Sequence, residues 1–210
     1  MMLAPEVQDH IRIATSYLTE HQLRQEKILR SATGIPVGAI WQIGRPGTSC
    51  YFAEVIATPS CGALVVHGDV ETCRFAAADR DPLARLGWMG NRHPNDFSYP
   101  AEKARIGMGG DFLTSEFSES AARRQVLERR REGIISAAAA RAAFGYLEEC
   151  CPTAQGLHEV MEPHDPDYWD HPFGQIYSFD LVASVVILRK CYELVSPGYA
   201  ARNYWARSPW

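Results

Sequence analysis

His67 and Asp69 flank Gly68 at the end of an apolar stretch, and Glu102 and Lys103 follow downstream. An imidazole, carboxylates and a lysine are the groups that activate water by general acid–base transfer or hold a phosphate. His67, Asp69, Glu102 and Lys103 are therefore the candidate catalytic residues. No G-x-x-x-x-G-K phosphate loop accompanies them. Gly68-Asp69 also reads as a plain hairpin turn, because glycine accepts unusual dihedrals and aspartate bonds its own backbone. A small hydrolase or nuclease is thus the alternative reading, and a protein that is not an enzyme is the leading one.

The segment 158–171 carries the best metal-ligand chemistry, with His158, His164 and His171 as candidate ligands among Glu159, Glu162, Asp165, Asp167 and Asp170. Imidazole and carboxylate together suit a borderline divalent cation. The spacing is neither H-E-x-x-H nor a calcium loop, and Pro163 and Pro166 break any regular helical array. A solvated acidic loop is the expectation, with no metal and no cofactor.

The cysteines are Cys50, Cys61, Cys73, Cys150, Cys151 and Cys191, with no C-x-x-C pair. Cys50, Cys61, Cys73 and Cys191 fall in or beside apolar segments and read as buried thiols. Cys150 and Cys151 sit at a helix end, where the dipole disfavours a thiolate.

Arg123, Arg124, Arg129 and Arg130 form a basic cluster, with Arg131 beside them. Such a cluster contacts phosphates or an acidic protein partner. Glu119, Glu128 and Glu132 dilute it, and spacings of three and four residues permit ion pairs along one helix. A nucleic-acid-binding module therefore ranks below protein binding. Trp205 and Trp210, with Tyr199 and Tyr204, supply aromatic anchors of the kind enriched at protein hot spots. They suit a protein partner or a homodimer interface.

The elements that must position these groups follow from periodicity and turn signals. Residues 5–30 read as a helix, opened by Pro5, with apolar residues at Val7, Ile11, Ala14, Leu18, Ile28 and Leu29. Strands are expected at 37–43, 50–57, 63–67 and 71–76, joined by Gly- and Pro-containing turns. Connections this short make an antiparallel meander across 37–77. Short helices are expected from Pro82 to about Trp88 and at 100–108, and a long helical region at 118–150 broken at Gly133. A helix near 153–161, an irregular proline-containing segment and a final helix at 178–194 complete a mainly helical part across 80–195. Ser196-Pro197-Gly198 should stop that helix before an aromatic tail at 199–210. The fold class expected is α+β, a single domain over 1–210 in which a small antiparallel sheet packs against N-terminal and C-terminal helices.

Of 210 residues, 46% are hydrophobic and 22% charged, which fits a folded globular chain. A net charge of -4 gives no global basic surface for nucleic acid. Met1 to Ala4 is followed by Glu6, Gln8 and Asp9, without the basic region and apolar core of a signal peptide. The best apolar run, 181–188, is far below membrane-spanning length. A cytoplasmic protein with no membrane partner is expected.

Three motifs stand in a recognisable order. His67-Gly68-Asp69-Val70 leads into Cys73-Arg74-Phe75; Ser98-Tyr99-Pro100-Ala101-Glu102-Lys103 follows; Tyr177-Ser178-Phe179-Asp180 opens a hydrophobic helix ending at Cys191-Tyr192. Across roughly 40–195 this resembles a family of uncharacterised tailed-phage and prophage accessory proteins with G-D-x-G, F-R, Y-x-A-E-K and an aromatic C-terminal helix. The second glycine of that pattern is replaced by Val70 or Glu71 here. The resemblance implies a phage or prophage setting in a host cell. The leading expectation is a non-enzymatic accessory protein that binds a host or phage protein, with an inhibitor of a host defence system such as CRISPR as its most concrete form.

Overall fold

The computed structural model describes residues 3–34, 36–48, 52–58, 62–76, 81–93, 95–106, 115–149, 151–164 and 173–202. In chain order the elements begin with α1 (Pro5–Leu18), β1 (Gln22–Arg30), β2 (Pro36–Gly44), β3 (Ala53–Thr58), β4 (Ala63–Gly68) and β5 (Cys73–Ala76). Next come α2 (Pro82–Gly90), α3 (Ser98–Lys103), β6 (Ala104–Ile106), β7 (Ser115–Phe117), α4 (Glu119–Arg131) and α5 (Ala137–Leu147). The last are α6 (Ala154–Met161), β8 (Gln175–Tyr177) and α7 (Phe179–Arg202). The chain is α+β and forms two compact units, one of Met1–Thr114 with Ser178–Trp210 and the other of Ser115–Tyr177.

In the first unit, β1 to β6 form one antiparallel meander in sequence order. Strand alternation puts Ala39, Trp41, Ile43, Val55, Leu64, Val66, Cys73 and Phe75 on one face, each fully buried. Helix α7 packs on this unit's strands and against α1 and α2. Its stretch from Leu181 to Leu188 is buried on every side, as a helix enclosed by other elements must be. The α2–α7 crossing is close because α2 offers glycines there. A Cβ on Gly90 would lie 2.7 Å from Tyr192 Cβ and 3.0 Å from the Leu188 carbonyl.

The expected helix at 5–30 is corrected: α1 ends at Leu18, and 22–30 is the edge strand β1. The apolar spacing of Ile28 and Leu29 suggested a helical face, but this segment pairs with β2, Glu26 opposite Trp41 and Ile28 opposite Ala39. An edge strand tolerates polar residues outside its contacts, which hid its period of two. Trp41 Nε1 donates to Glu26 Oε1 at 3.1 Å, giving a buried indole its partner. The helix expected at 100–108 stops at Lys103 and the chain turns into β6, because β5 offers an unpaired edge. The sheet is accordingly larger than the expected 37–77 span.

The C-terminal helix also differs. It runs through Pro197 to Arg202. Proline inside a helix costs about 3 kcal/mol through one lost hydrogen bond and a steric clash. The buried turns up to Val195 supply the nucleus, so a further turn adds to an existing helix. Residues 203–210 lie outside the described residues.

The second unit holds α4, α5, α6 and the β7–β8 ribbon. Its core joins Ala122, Val126, Ala139, Ala143, Leu147, Leu157, Met161 and Phe173. Each helix starts at a hydroxyl cap. Ser118, Ser136 and Thr153 accept from the amides of Ala121, Ala139 and Gly156 at 3.2, 3.0 and 3.1 Å. The break between α4 and α5 falls at Gly133, whose φ of 75° suits glycine.

Candidate functional site

His67 lies on β4 with its side chain on the sheet face opposite Trp41. Across the strands it meets Glu54, and Glu54 meets Gln42. His67 Nε2 and Glu54 Oε2 are 2.7 Å apart, and Gln42 Nε2 donates to Glu54 Oε1 at 2.7 Å. Partial burial of Glu54 acts to raise its pKa, but the hydrogen bonds from Gln42 and His67 outweigh it and hold the carboxyl below its ordinary value. Both oxygens of this carboxylate are engaged, and it stays ionised at neutral pH. Cys73, opposite Val66, points to the buried face and away from His67. The arrangement is a cross-strand polar row.

Asp69 follows β4 directly. Its Oδ2 accepts from the Phe52 amide at 2.7 Å, and its own amide donates to the Phe52 carbonyl at 3.0 Å. The expected tight hairpin at Gly68-Asp69 is thus corrected. The connection spans 69–72, and Asp69 ties it to the start of β3. Gly68 is required there, with φ 135° and the position of a Cβ only 2.2 Å from the Phe52 carbonyl oxygen. Glu71 donates its amide to Asp180 Oδ1 at 3.3 Å. Asp69, Glu71 and Asp180 consequently border one shallow acidic depression.

Glu102 and Lys103 lie elsewhere. Ala104 pairs with Phe75 and Phe75 with Leu64, whereas Cys73 pairs with Val66. Glu102 and Lys103 therefore stand at the Leu64 end of these strands, and His67 and Asp69 at the other. Glu102 Oε1 and Lys103 Nζ pair with each other at 2.5 Å.

Around α2 and α3 is an aromatic and cationic patch. Trp88 is 50% exposed and meets Tyr99 edge-on at 5.7 Å. The Arg92 guanidinium lies 3.9 Å from the Tyr99 ring centre, and Lys103 Nζ lies 5.4 Å from it. Arg92 is fixed by the Trp88 carbonyl at 3.1 Å and by Asp96 at 2.8 Å. That Arg92 hydrogen bond is the main reason the Asp96 carboxyl sits below its ordinary value, against the opposing effect of burial. Arg189 on α7 donates to the carbonyls of His93 and Asp96 at 3.1 and 3.2 Å and so braces the turn behind the patch.

A pocket of about 580 Å³ lies between α1, α7 and the start of β3. Ala14 and Leu18 line it from one helix and Phe179, Ala183 and Ile187 from the other, each set at four-residue spacing. Its buried part includes His21, while Tyr17 and Asp69 are exposed at its rim.

In the second unit Arg123 and Arg129 serve the unit itself. Arg123 pairs with Glu119 at 2.8 Å and donates to the Leu147 carbonyl at 2.5 Å. Arg129 lies 4.7 Å from the centre of the Phe173 ring. Arg124 is half-buried, and Arg130 and Arg131 are exposed on α4. His158 is buried in α6 and His164 is exposed after it. Among the described residues no group of three His, Cys, Asp or Glu side chains converges as a metal site. His171, Trp205 and Trp210 lie outside the described residues. Cys191 is buried, and burial first, then the charge of Glu26, pushes its thiol pKa up, which keeps it protonated and inert. No helix among the described residues is long and apolar enough to cross a membrane.

No family model, no curated protein and no solved structure matches this chain. The pocket and the Trp88 patch went unnoticed in the sequence. Ala183, a small residue between Phe179 and Ile187 in a buried stripe, was the available signal for the pocket. For the patch it was Trp88 on a helix only nine residues long, with Arg92 four positions on.

Proposed function

We propose that this protein acts by binding a protein partner and not by catalysis, as a phage or prophage accessory protein. The most specific form of this reading is an inhibitor of a host defence system such as CRISPR. The observation that carries the binding reading is the Trp88–Tyr99–Arg92 patch. Tryptophan, tyrosine and arginine are the residues enriched at protein hot spots. Here Arg92 is already held in place by Asp96 and Tyr99, so little freedom is lost on docking. The catalytic candidates support the same reading by their separation, since Glu102 and Lys103 stand at the opposite end of the strands from His67 and Asp69. The phage setting rests on the motif order at 67–75, 98–103 and 177–192.

Affinity purification of the tagged protein from prophage-bearing cells, followed by mass spectrometry, tests both parts. Stoichiometric recovery of one defence component supports the full reading. Recovery of a phage structural protein keeps the binding reading and removes the anti-defence one. Hydrolysis of a nucleic acid or ester by the pure protein, abolished by His67→Ala, overturns both.

A further inference from the structure

The pocket between α1 and α7 has a chemistry that the protein-binding reading leaves unused. Its volume of about 580 Å³ falls in the usual range for small-molecule sites. At ~30 Å³ per heavy atom, the share of a water molecule in the liquid, that space holds roughly twenty non-hydrogen atoms. Most of the lining is aliphatic or aromatic, from Leu18, Val70, Phe179, Ala183 and Ile187. An apolar body is therefore what gains most by entering.

The mouth selects the head of such a molecule. Asp69 and Val70 line both the pocket and the acidic depression formed with Glu71 and Asp180. Asp69 Oδ2 holds the Phe52 amide, while among the described residues Oδ1 takes no hydrogen bond. On the far side of Tyr17, Arg45 is paired with Glu20 at 2.5 Å, so its charge is already answered. An anionic head would meet three carboxylates at the depression. A cationic head would gain a charge-assisted hydrogen bond.

We propose that this pocket binds an amphipathic small molecule with an apolar chain and a cationic head, the head resting on Asp69. A long-chain primary amine is its simplest form. The chain lies along Ala183 and Ile187, and the ammonium donates to Asp69 Oδ1. This site is separate from the Trp88 patch, and its occupancy does not depend on any protein partner.

Decylamine, decanol and decanoate share one chain and differ in head, so calorimetric titration of each into the full chain below its micelle concentration tests the proposal. The expected result is saturable decylamine binding at least tenfold tighter than that of decanoate, with decanol between them. Asp69→Asn should remove the advantage of the amine over decanol while keeping the decanol affinity, with Glu71 and Asp180 still disfavouring decanoate. The asparagine carbonyl still accepts from Phe52, so this variant should keep its fold. Ala183→Leu should weaken all the probes by filling the pocket, with circular dichroism and the thermal transition as checks on folding. Absence of saturable decylamine binding overturns the proposal. So does decanoate binding equal to that of the amine, or an unchanged advantage of the amine over decanol in Asp69→Asn.

Discussion

In the Ser115–Tyr177 unit, Arg123 turns onto the end of α5 and Arg129 onto the face of Phe173. In the other unit, Arg92 lies on Tyr99 beside a tryptophan that is half in water. The second unit carries a run of arginines, yet Arg92 of the first unit is the one stacked beside exposed aromatic surface. Arg92 is anchored as firmly as Arg123 and is no more exposed. What distinguishes its surroundings is the half-exposed indole of Trp88 beside it. Density of charge along the sequence is thus a poor guide to where a partner docks, and the company each charge keeps is a better one.

The comparison can be broken most forcefully at the core beneath the patch-bearing unit. Trp41→Ala should cost about 3–5 kcal/mol, because it empties a fully buried site and leaves Glu26 without the indole donor. Urea unfolding of the variant checks this. Gly90→Ala comes next, at ~1–3 kcal/mol, since its Cβ would collide with Tyr192 and the Leu188 carbonyl at the α2–α7 crossing. Its spectroscopic signature should be a change in Trp88 fluorescence. A loss of stability without that change would detach the patch from the crossing.

In the second unit, Arg123→Ala should cost about 1 kcal/mol, the scale of a part-exposed charged hydrogen bond. Hydrogen exchange should then rise at the α5 amides and leave the sheet unchanged. Exchange rising equally in both units would show that they unfold as one, which sharpens the comparison.

The Glu54 row gives a smaller and pH-limited effect. Its carboxyl sits below the ordinary value of 4.5, so the unfolded chain takes up this proton more readily. The stabilisation is complete above that value and is lost as pH falls through the lowered folded one. Urea midpoints measured downward from neutral pH should show this acid loss, and Glu54→Gln should flatten it. The smallest effect is expected for Arg130→Glu with Arg131→Glu on exposed positions of α4, within about 0.5 kcal/mol in thermal unfolding.

The α+β class, the antiparallel order of β2 to β5 and the break at Gly133 were legible because they depend on local signals. These were apolar segments and the turn residues between them. β1 was not, since an edge strand with Gln22, Arg24, Gln25 and Lys27 has little apolar alternation of its own and is defined by pairing with β2. β6 is three residues long and exists because β5 has an edge to fill. At the site, sequence proximity put His67 beside Asp69 but gave no sign that Glu54 and Phe52 would be their partners. Those contacts arise from the β3–β4 register. The pocket needs two helices that are distant in sequence, so neither helix alone reveals it.

The central claim is that the exposed aromatic patch, and not the His67 row, carries the function. Quantitative capture of partner from prophage-bearing cells, run in parallel with the parent protein, Trp88→Ala and His67→Ala, tests it most directly. The account predicts that Trp88→Ala loses at least tenfold of the captured partner with its thermal transition unchanged, and that His67→Ala captures as the parent does. Full capture by Trp88→Ala together with loss in His67→Ala would contradict it.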